Sequence, residues 1–139
     1  MIEKLYTAEV TVTGGGRNGH VKSSDGVIDF DVVMPKELGG QGGLKTNPEQ
    51  LFGAGYSACF DGALRLVAKN KKISNFDSSV TAKVSIGKDE TGLGISVELH
   101  VDIKNIDRTL AEEVMNEAHQ VCPYSKATRN NVEVKLVLV

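Results

Sequence analysis

The chain has 139 residues, 16 Lys and Arg against 18 Asp and Glu, and a formal charge of −2. Its length suits one domain, 1–139, able to bury roughly two thirds of its unfolded surface without a metal or disulfide staple. The charges are interspersed, which argues against a nucleic-acid-binding stripe, and no apolar run reaches the ~18 residues of a membrane span. The opening "MIEKLYTAEV" lacks an apolar signal core, so the expected location is cytoplasmic. Residues 5–13 alternate, with Tyr6, Ala8, Val10 and Val12 opposite Thr7, Glu9, Thr11 and Thr13, and predict a half-buried strand. After "GGGRNGH", residues 20–24 and 27–33 read as a hairpin around Asp25-Gly26. A glycine-rich loop follows.

In "TNPEQ", Asn47 can act as N-cap, Pro48 as first helical residue and Gln50 as the capping-box partner. The helix is predicted from Pro48 to about Lys71. Leu51, Phe52, Tyr56, Cys59, Phe60, Ala63, Leu64, Val67 and Ala68 cover well over half its circumference, as expected of a central helix. Lys69, Lys71 and Lys72 suit the negative end of its dipole. Strands are predicted at 77–88 and 93–104, the second with Ile95, Val97, Leu99, Val101 and Ile103 inward. Thr109 to Glu112 reads as a second capping box, opening a helix to about Val121 with Leu110, Val114, Ala118 and Val121 on one face. "CPYS" breaks it, and "VEVKLVLV" supplies a last strand. The pattern predicts an α+β fold, with antiparallel sheets wrapped around a long central helix plus a second helix.

Three features offer chemistry. Gly14, Gly16 and Gly19 match the G-x-G-x-x-G spacing, but strand and turn follow where a dinucleotide site needs a helix N-terminus. Arg17 in that turn reads, by itself, as a solvated loop cation. His119 and Cys122 are three apart, yet a single H-x-x-C pair is too few ligands for zinc, and no metal is expected. The two thiols are the third feature. Each alone would pass as a small buried hydrophobe. Gly53 and Gly55, however, cost ~1 kcal/mol each inside a helix, which suggests close approach of another segment near Cys59. Cys122 stands at a helix end before Pro123, and a dithiol cycling through an intramolecular disulfide suits a reducing compartment.

"TNPEQLFGAGYSACF" and "VCPYSKATRNN", together with "GGGRNGHVKSSDG" and the final strand, closely resemble the organic hydroperoxide resistance (Ohr) branch of the OsmC superfamily over essentially the whole chain. The resemblance implies an intertwined homodimer with two active sites at the subunit interface. It also implies a thiol-dependent peroxidase acting on organic hydroperoxides, fatty-acid hydroperoxides included. By the same match Cys59 is peroxidatic, Cys122 resolving, Arg17 the glycine-loop arginine and Glu49 the assisting glutamate. No bound cofactor is implied; a dihydrolipoyl group on a lipoylated protein would restore the dithiol.

Apolar neighbours should raise the pKa of Cys59, and its own helix N-terminus is too distant to help, so a cation such as Arg17 is needed, aimed by Glu49. Glu49 and Cys59 lie ten residues apart, ~15 Å along a straight helix. Arg17 spanning part of the gap, a bend at the glycines, or supply of Arg17 and Glu49 by the partner subunit would each resolve this; the last is favoured. Phe52, Tyr56 and Phe60 are read either as an apolar mouth for an alkyl chain or as ordinary core. Two rival functions remain: an OsmC-type peroxidase with broader oxidant preference, and a redox-sensitive dimer that binds apolar ligands. His20, His100 and His119 carry no assigned role.

Overall fold

A computed structural model describes residues 1–139. Although no linker composition marks a boundary, the chain divides into two compact units, Met1–Pro48 and Glu49–Val139.

The first unit is an antiparallel sheet of three short strands, β1 (Val10–Thr13), β2 (His20–Ser23) and β3 (Asp29–Asp31), in that order. Val10 pairs with Ser23, and His20 with Asp31. The expected strand over 5–13 is thus regular only from Val10, because β2 ends at Ser23 and turns away. Its apolar face is also uncovered within the chain: Tyr6 is 82% exposed and Val10 and Val12 about half exposed. Between β1 and β2, Gly14, Gly15 and Gly16 all have positive φ, a region that favours glycine. A Cβ on Gly19 would lie 2.4 Å from the Thr13 carbonyl oxygen. These glycines serve a tight turn, and strand β2 follows it directly.

The second unit opens with α1 (Pro48–Asn70), one residue short of the expected end. The hairpin of β4 (Asp77–Asp89) and β5 (Gly92–Lys104) is antiparallel along its full length, in register from Asp77↔Lys104 to Asp89↔Gly92. Asp89 closes the turn by accepting from the Thr91 and Gly92 backbone N–H groups. Helix α2 (Arg108–Val121) is capped by Asp107, whose side chain accepts from Leu110 N–H, rather than by Thr109. The helix therefore starts earlier than predicted. Its buried face is Ala111, Val114, Met115 and Ala118, while Val121 is half exposed.

At Cys122 the helix stops, but Pro123 then starts a third helix, α3 (Pro123–Thr128), in place of a simple break. Proline suits a first helical position because its missing N–H would have no partner there. The last strand, β6 (Glu133–Leu138), runs parallel to β5, so this sheet is mixed and not wholly antiparallel. The reason is the connection: a helical crossover returns the chain to the same end of the sheet, as parallel pairing requires. Val97, Leu99 and Val101 of β5 form a core with Tyr56, Phe60, Leu64 and Val67 of α1 and Val114, Ala118 and Cys122 at the α2–α3 corner.

Candidate active site

Cys59 and Cys122 are 63 residues apart in sequence, yet their sulfur atoms lie 3.6 Å from each other, both as free thiols. The middle of α1 carries the first and the α2–α3 corner the second. Cys122 is fully buried in the core; Cys59 is half-buried beside it. Sulfur atoms in this position need to approach by only about 1.5 Å to reach bonding distance.

Burial pushes the Cys59 thiol above its ordinary range, and the neighbouring Cys122 adds to the rise. A hydrogen bond from the Tyr124 backbone N–H pulls the other way. That N–H belongs to the first turn of α3, where donors have no intrahelical partner. The helix N-terminus that serves Cys59 is thus not its own but that of α3, which the sequence reading did not foresee.

Tyr124 matters through its ring as well. A Cβ on Gly55 would lie 3.0 Å from the Tyr124 hydroxyl oxygen, so glycine at this point in α1 lets the ring lie against the helix. A Cβ on Gly53 would lie 3.4 Å from Val84 Cγ2 of β4. The expected close approach near Cys59 is therefore made by α3 and β4. Tyr124 is 41% exposed and contacts Phe52 and Tyr56, with ring centres 6.4 and 5.8 Å away.

Of the three aromatic residues considered for an apolar mouth, Tyr56 and Phe60 are fully buried and follow the ordinary-core alternative. The Tyr56 ring lies against Tyr124 of α3 and Phe60 against His119 of α2. Phe52 is half-buried, and Tyr124 is the exposed aromatic surface beside the thiols that residue-type reasoning overlooked. Its signal was present in "CPY", since a proline directly after a cap residue marks a helix start.

Beneath the thiols lies a polar network. The Tyr56 hydroxyl is 2.9 Å from Ser125 Oγ and 3.2 Å from Thr128 Oγ1. Ser125 Oγ is in turn 2.8 Å from His119 Nδ1. Arg129 donates to the His119 carbonyl, and Thr128 donates to that of Ser125. Burial, and secondarily Arg129, hold the His119 pKa below its ordinary value. At neutral pH its Nδ1 can therefore accept from Ser125. His119, given no role from the sequence, is part of this network.

Arg17 sits half-buried in a 3₁₀ turn, Gly16–Asn18, of the first unit. Glu49 is the second residue of α1, also half-buried and ten residues before Cys59 along a continuous helix. No group of three His, Cys, Asp or Glu side chains converges to hold a metal, and no helix is long and apolar enough to cross a membrane.

The sequence and the fold both have close counterparts. A family model described as OsmC-like protein matches residues 40–137. The organic hydroperoxide resistance protein OhrB of Bacillus subtilis is 56% identical over 136 residues, covering 96% of this chain and 98% of the relative. The chain belongs to the OsmC-like family, in its organic hydroperoxide resistance branch. An organic hydroperoxide resistance protein of Xanthomonas axonopodis pv. citri is 48% identical, with 96% and 94% of the two chains covered. Among solved structures, an organic hydroperoxide resistance protein from Elizabethkingia anophelis matches with a TM-score of 0.93 at 54% identity, over 99% of this chain and 98% of that one. The chain has an α+β fold of two small sheets and three α-helices, matching these structures.

Proposed function

We propose that this Ohr-family protein defends against peroxides as a thiol-dependent peroxidase that reduces organic hydroperoxides, fatty-acid hydroperoxides among them. The observation that carries the reading is the 3.6 Å approach of Cys59 and Cys122 in an otherwise cysteine-free chain. The names of its relatives, which specify organic hydroperoxide resistance, support the choice of oxidant.

In the proposed cycle the Cys59 thiolate attacks one peroxide oxygen. The O–O bond breaks, the departing alkoxide takes a proton to become an alcohol, and Cys59 is left as sulfenic acid. The Cys122 thiol then attacks that sulfur, forming the disulfide and releasing water, before a second peroxide can carry Cys59 to the sulfinic state. A dihydrolipoyl dithiol on a lipoylated protein reopens the disulfide by exchange and is itself oxidised to the cyclic disulfide. Arg17 supplies the positive charge that a burial-raised thiol requires, and its N–H groups stabilise negative charge on the departing oxygen. Glu49 orients the guanidinium as a bidentate partner.

The separation of Glu49 from Cys59 favours a homodimer in which one subunit contributes Arg17 and Glu49 to the other's thiols. The uncovered apolar face of Tyr6, Val10 and Val12 also suits a second subunit. A cytoplasmic location matches a chemistry that begins and ends with free thiols.

The decisive experiment counts thiols on reduced protein after one equivalent of an organic hydroperoxide, with hydrogen peroxide in parallel. Rapid loss of both thiols to the organic oxidant and slower loss to hydrogen peroxide is the expected result. Equal rates would indicate the broader OsmC-type preference, and two persistent thiols would favour apolar-ligand binding. Heterodimers of Arg17→Ala and Cys59→Ser chains separate the subunit arrangements: a site built across subunits leaves one complete site per heterodimer, whereas near-zero activity would overturn that arrangement.

A further inference from the structure

We propose that Tyr56, Ser125 and His119 act as positioning residues, a polar clamp that keeps Cys122 against Cys59 so that disulfide closure outruns over-oxidation. This rests on the peroxidase reading for its competing oxidation step, though not for the clamp itself.

The clamp lies one helical turn from each thiol. Tyr56 precedes Cys59 by three residues on α1, and Ser125 follows Cys122 by three on α3. Their hydroxyls, 2.9 Å apart, form a second rung beside the 3.6 Å contact of the sulfurs. His119 Nδ1, at 2.8 Å from Ser125 Oγ, extends the rung to α2. One serine hydroxyl thereby joins all three helices that meet at the thiols.

Helix α3 needs such a tie. It is six residues long, and helices shorter than ~12 residues do not hold their shape alone in water. The placement of Cys122, which caps it, therefore depends on tertiary contacts. Tyr124 against Gly55 is one, at the exposed edge. The hydroxyl network is another, with Tyr56 and Ser125 fully buried and Thr128 nearly so.

Polar groups are an uneconomical way to gain stability at such a point, since desolvation offsets most of the hydrogen-bond gain. What they supply is directionality, because a buried donor left without its acceptor is costly and few other arrangements satisfy it. The protons can be assigned without an orphan. Thr128 donates to the Ser125 carbonyl, Tyr56 to Ser125 Oγ, and Ser125 to a neutral His119 Nδ1. Removing one hydroxyl frees α3 to sample other positions while the apolar core stays intact.

The two reactions of the sulfenic acid then separate. Closure, Cys59–SOH plus Cys122–SH giving the disulfide and water, depends on the position of Cys122. Over-oxidation, Cys59–SOH plus a second hydroperoxide giving sulfinic acid and alcohol, does not. The clamp variants should shift the partition between them without a matching change in the first oxidation.

The test compares Tyr56→Phe and Ser125→Ala with the wild type by intact-mass measurement across a titration of cumene hydroperoxide. Sulfinic acid is expected at about tenfold lower hydroperoxide excess in the variants, equivalent to ~1.4 kcal/mol in relative barrier height. His119→Asn, which retains a polar atom near the Nδ1 position, should stay closer to wild type than His119→Leu. Val101→Ala, in the same core but outside the network, controls for lost stability: its Tm should fall while the partition holds.

A wild-type partition in Tyr56→Phe and Ser125→Ala would overturn the clamp, as would an equal shift in Val101→Ala. Closure driven by diamide, which oxidises a dithiol to a disulfide and becomes a hydrazine, tests the clamp without any peroxide. Slower diamide closure in the variants supports it, even if the wild type ignores hydroperoxide and the peroxidase reading falls; unchanged closure overturns it.

Discussion

The two units of this chain treat their apolar residues in opposite ways. In Glu49–Val139 the alternating side chains of β5 find α1 and α2, and Leu99 and Val101 are entirely buried. In β1 and the segment leading into it, the same alternation leaves Tyr6, Val10 and Val12 exposed. A strand pattern predicts a face that must be covered, but does not say by which chain. The proposed chemistry divides along the same line: the second unit brings both thiols together within itself, whereas Arg17 belongs to a glycine turn of the first.

The sharpest way to break the comparison is at the thiols. Cys59→Ser should reduce organic-hydroperoxide consumption to the background rate, followed by a ferrous-oxidation assay. If the second unit held the whole mechanism, Arg17→Ala would be mild. We expect instead a fall of about 10²–10³-fold in the rate of Cys59 oxidation, the usual cost of removing a charge-stabilising donor. The same variant should raise the pKa at which Cys59 reacts with iodoacetamide.

A smaller effect separates two glycines of α1. Nothing lies within 4 Å of a Cβ placed on Gly62, whereas one on Gly55 meets Tyr124. Gly62→Ala should therefore stabilise the protein by about 1 kcal/mol, as helix propensity dictates. Gly55→Ala should lose that gain to crowding against a ring edge. Urea denaturation of both variants checks the pair; equal stabilisation would mean that Tyr124 does not need Gly55.

The smallest effect lies in the first unit. His20 Nδ1 is 2.8 Å from Asp31 and Nε2 2.6 Å from Asp29, and carboxylates on both sides of the ring favour its imidazolium form. Its pKa is raised, chiefly by the hydrogen bond to Asp31 and next by that to Asp29, while both carboxyls are lowered, chiefly by His20. The histidine's contribution is therefore complete below its unfolded pKa of ~6.5 and lost as pH rises through the higher folded value. The carboxylates' contribution is present above about pH 4 and lost as pH falls through their lowered folded values. A shallow stability maximum near pH 5–6 is expected, and His20→Asn should flatten its alkaline side in thermal melts. All these groups are exposed, so the amplitude is small and shrinks with salt.

Periodicity made the second unit easy to read. The alternation from Ile95 to Ile103 and the apolar breadth of α1 gave elements whose observed bounds lie within a few residues of expectation. The close approach of other segments to α1 near Cys59 was legible through the unfavourable Gly53 and Gly55. What escaped notice depends on contacts between distant segments. The parallel direction of β6 is decided by the crossover before it, Tyr56 and Phe60 by which side of α1 the sheet occupies, and the role of Tyr124 by where α3 lands. The cap was a local matter: Asp107 and Thr109, two positions apart, both have capping side chains, and the earlier one is used.

The thiol contact also has a thermodynamic consequence for the chain as a whole. A bond between Cys59 and Cys122 would tie a loop spanning 63 sequence positions and remove configurational freedom from the denatured chain. On the loop-entropy model such a cross-link is worth about 4 kcal/mol. Folding and oxidation are then linked equilibria, because whatever favours the native chain favours the closed ring and the converse. The oxidised protein should resist unfolding more than the reduced one, so in the proposed cycle each turnover would pass through a stiffer molecule, and any reductant would work against the free energy of folding itself.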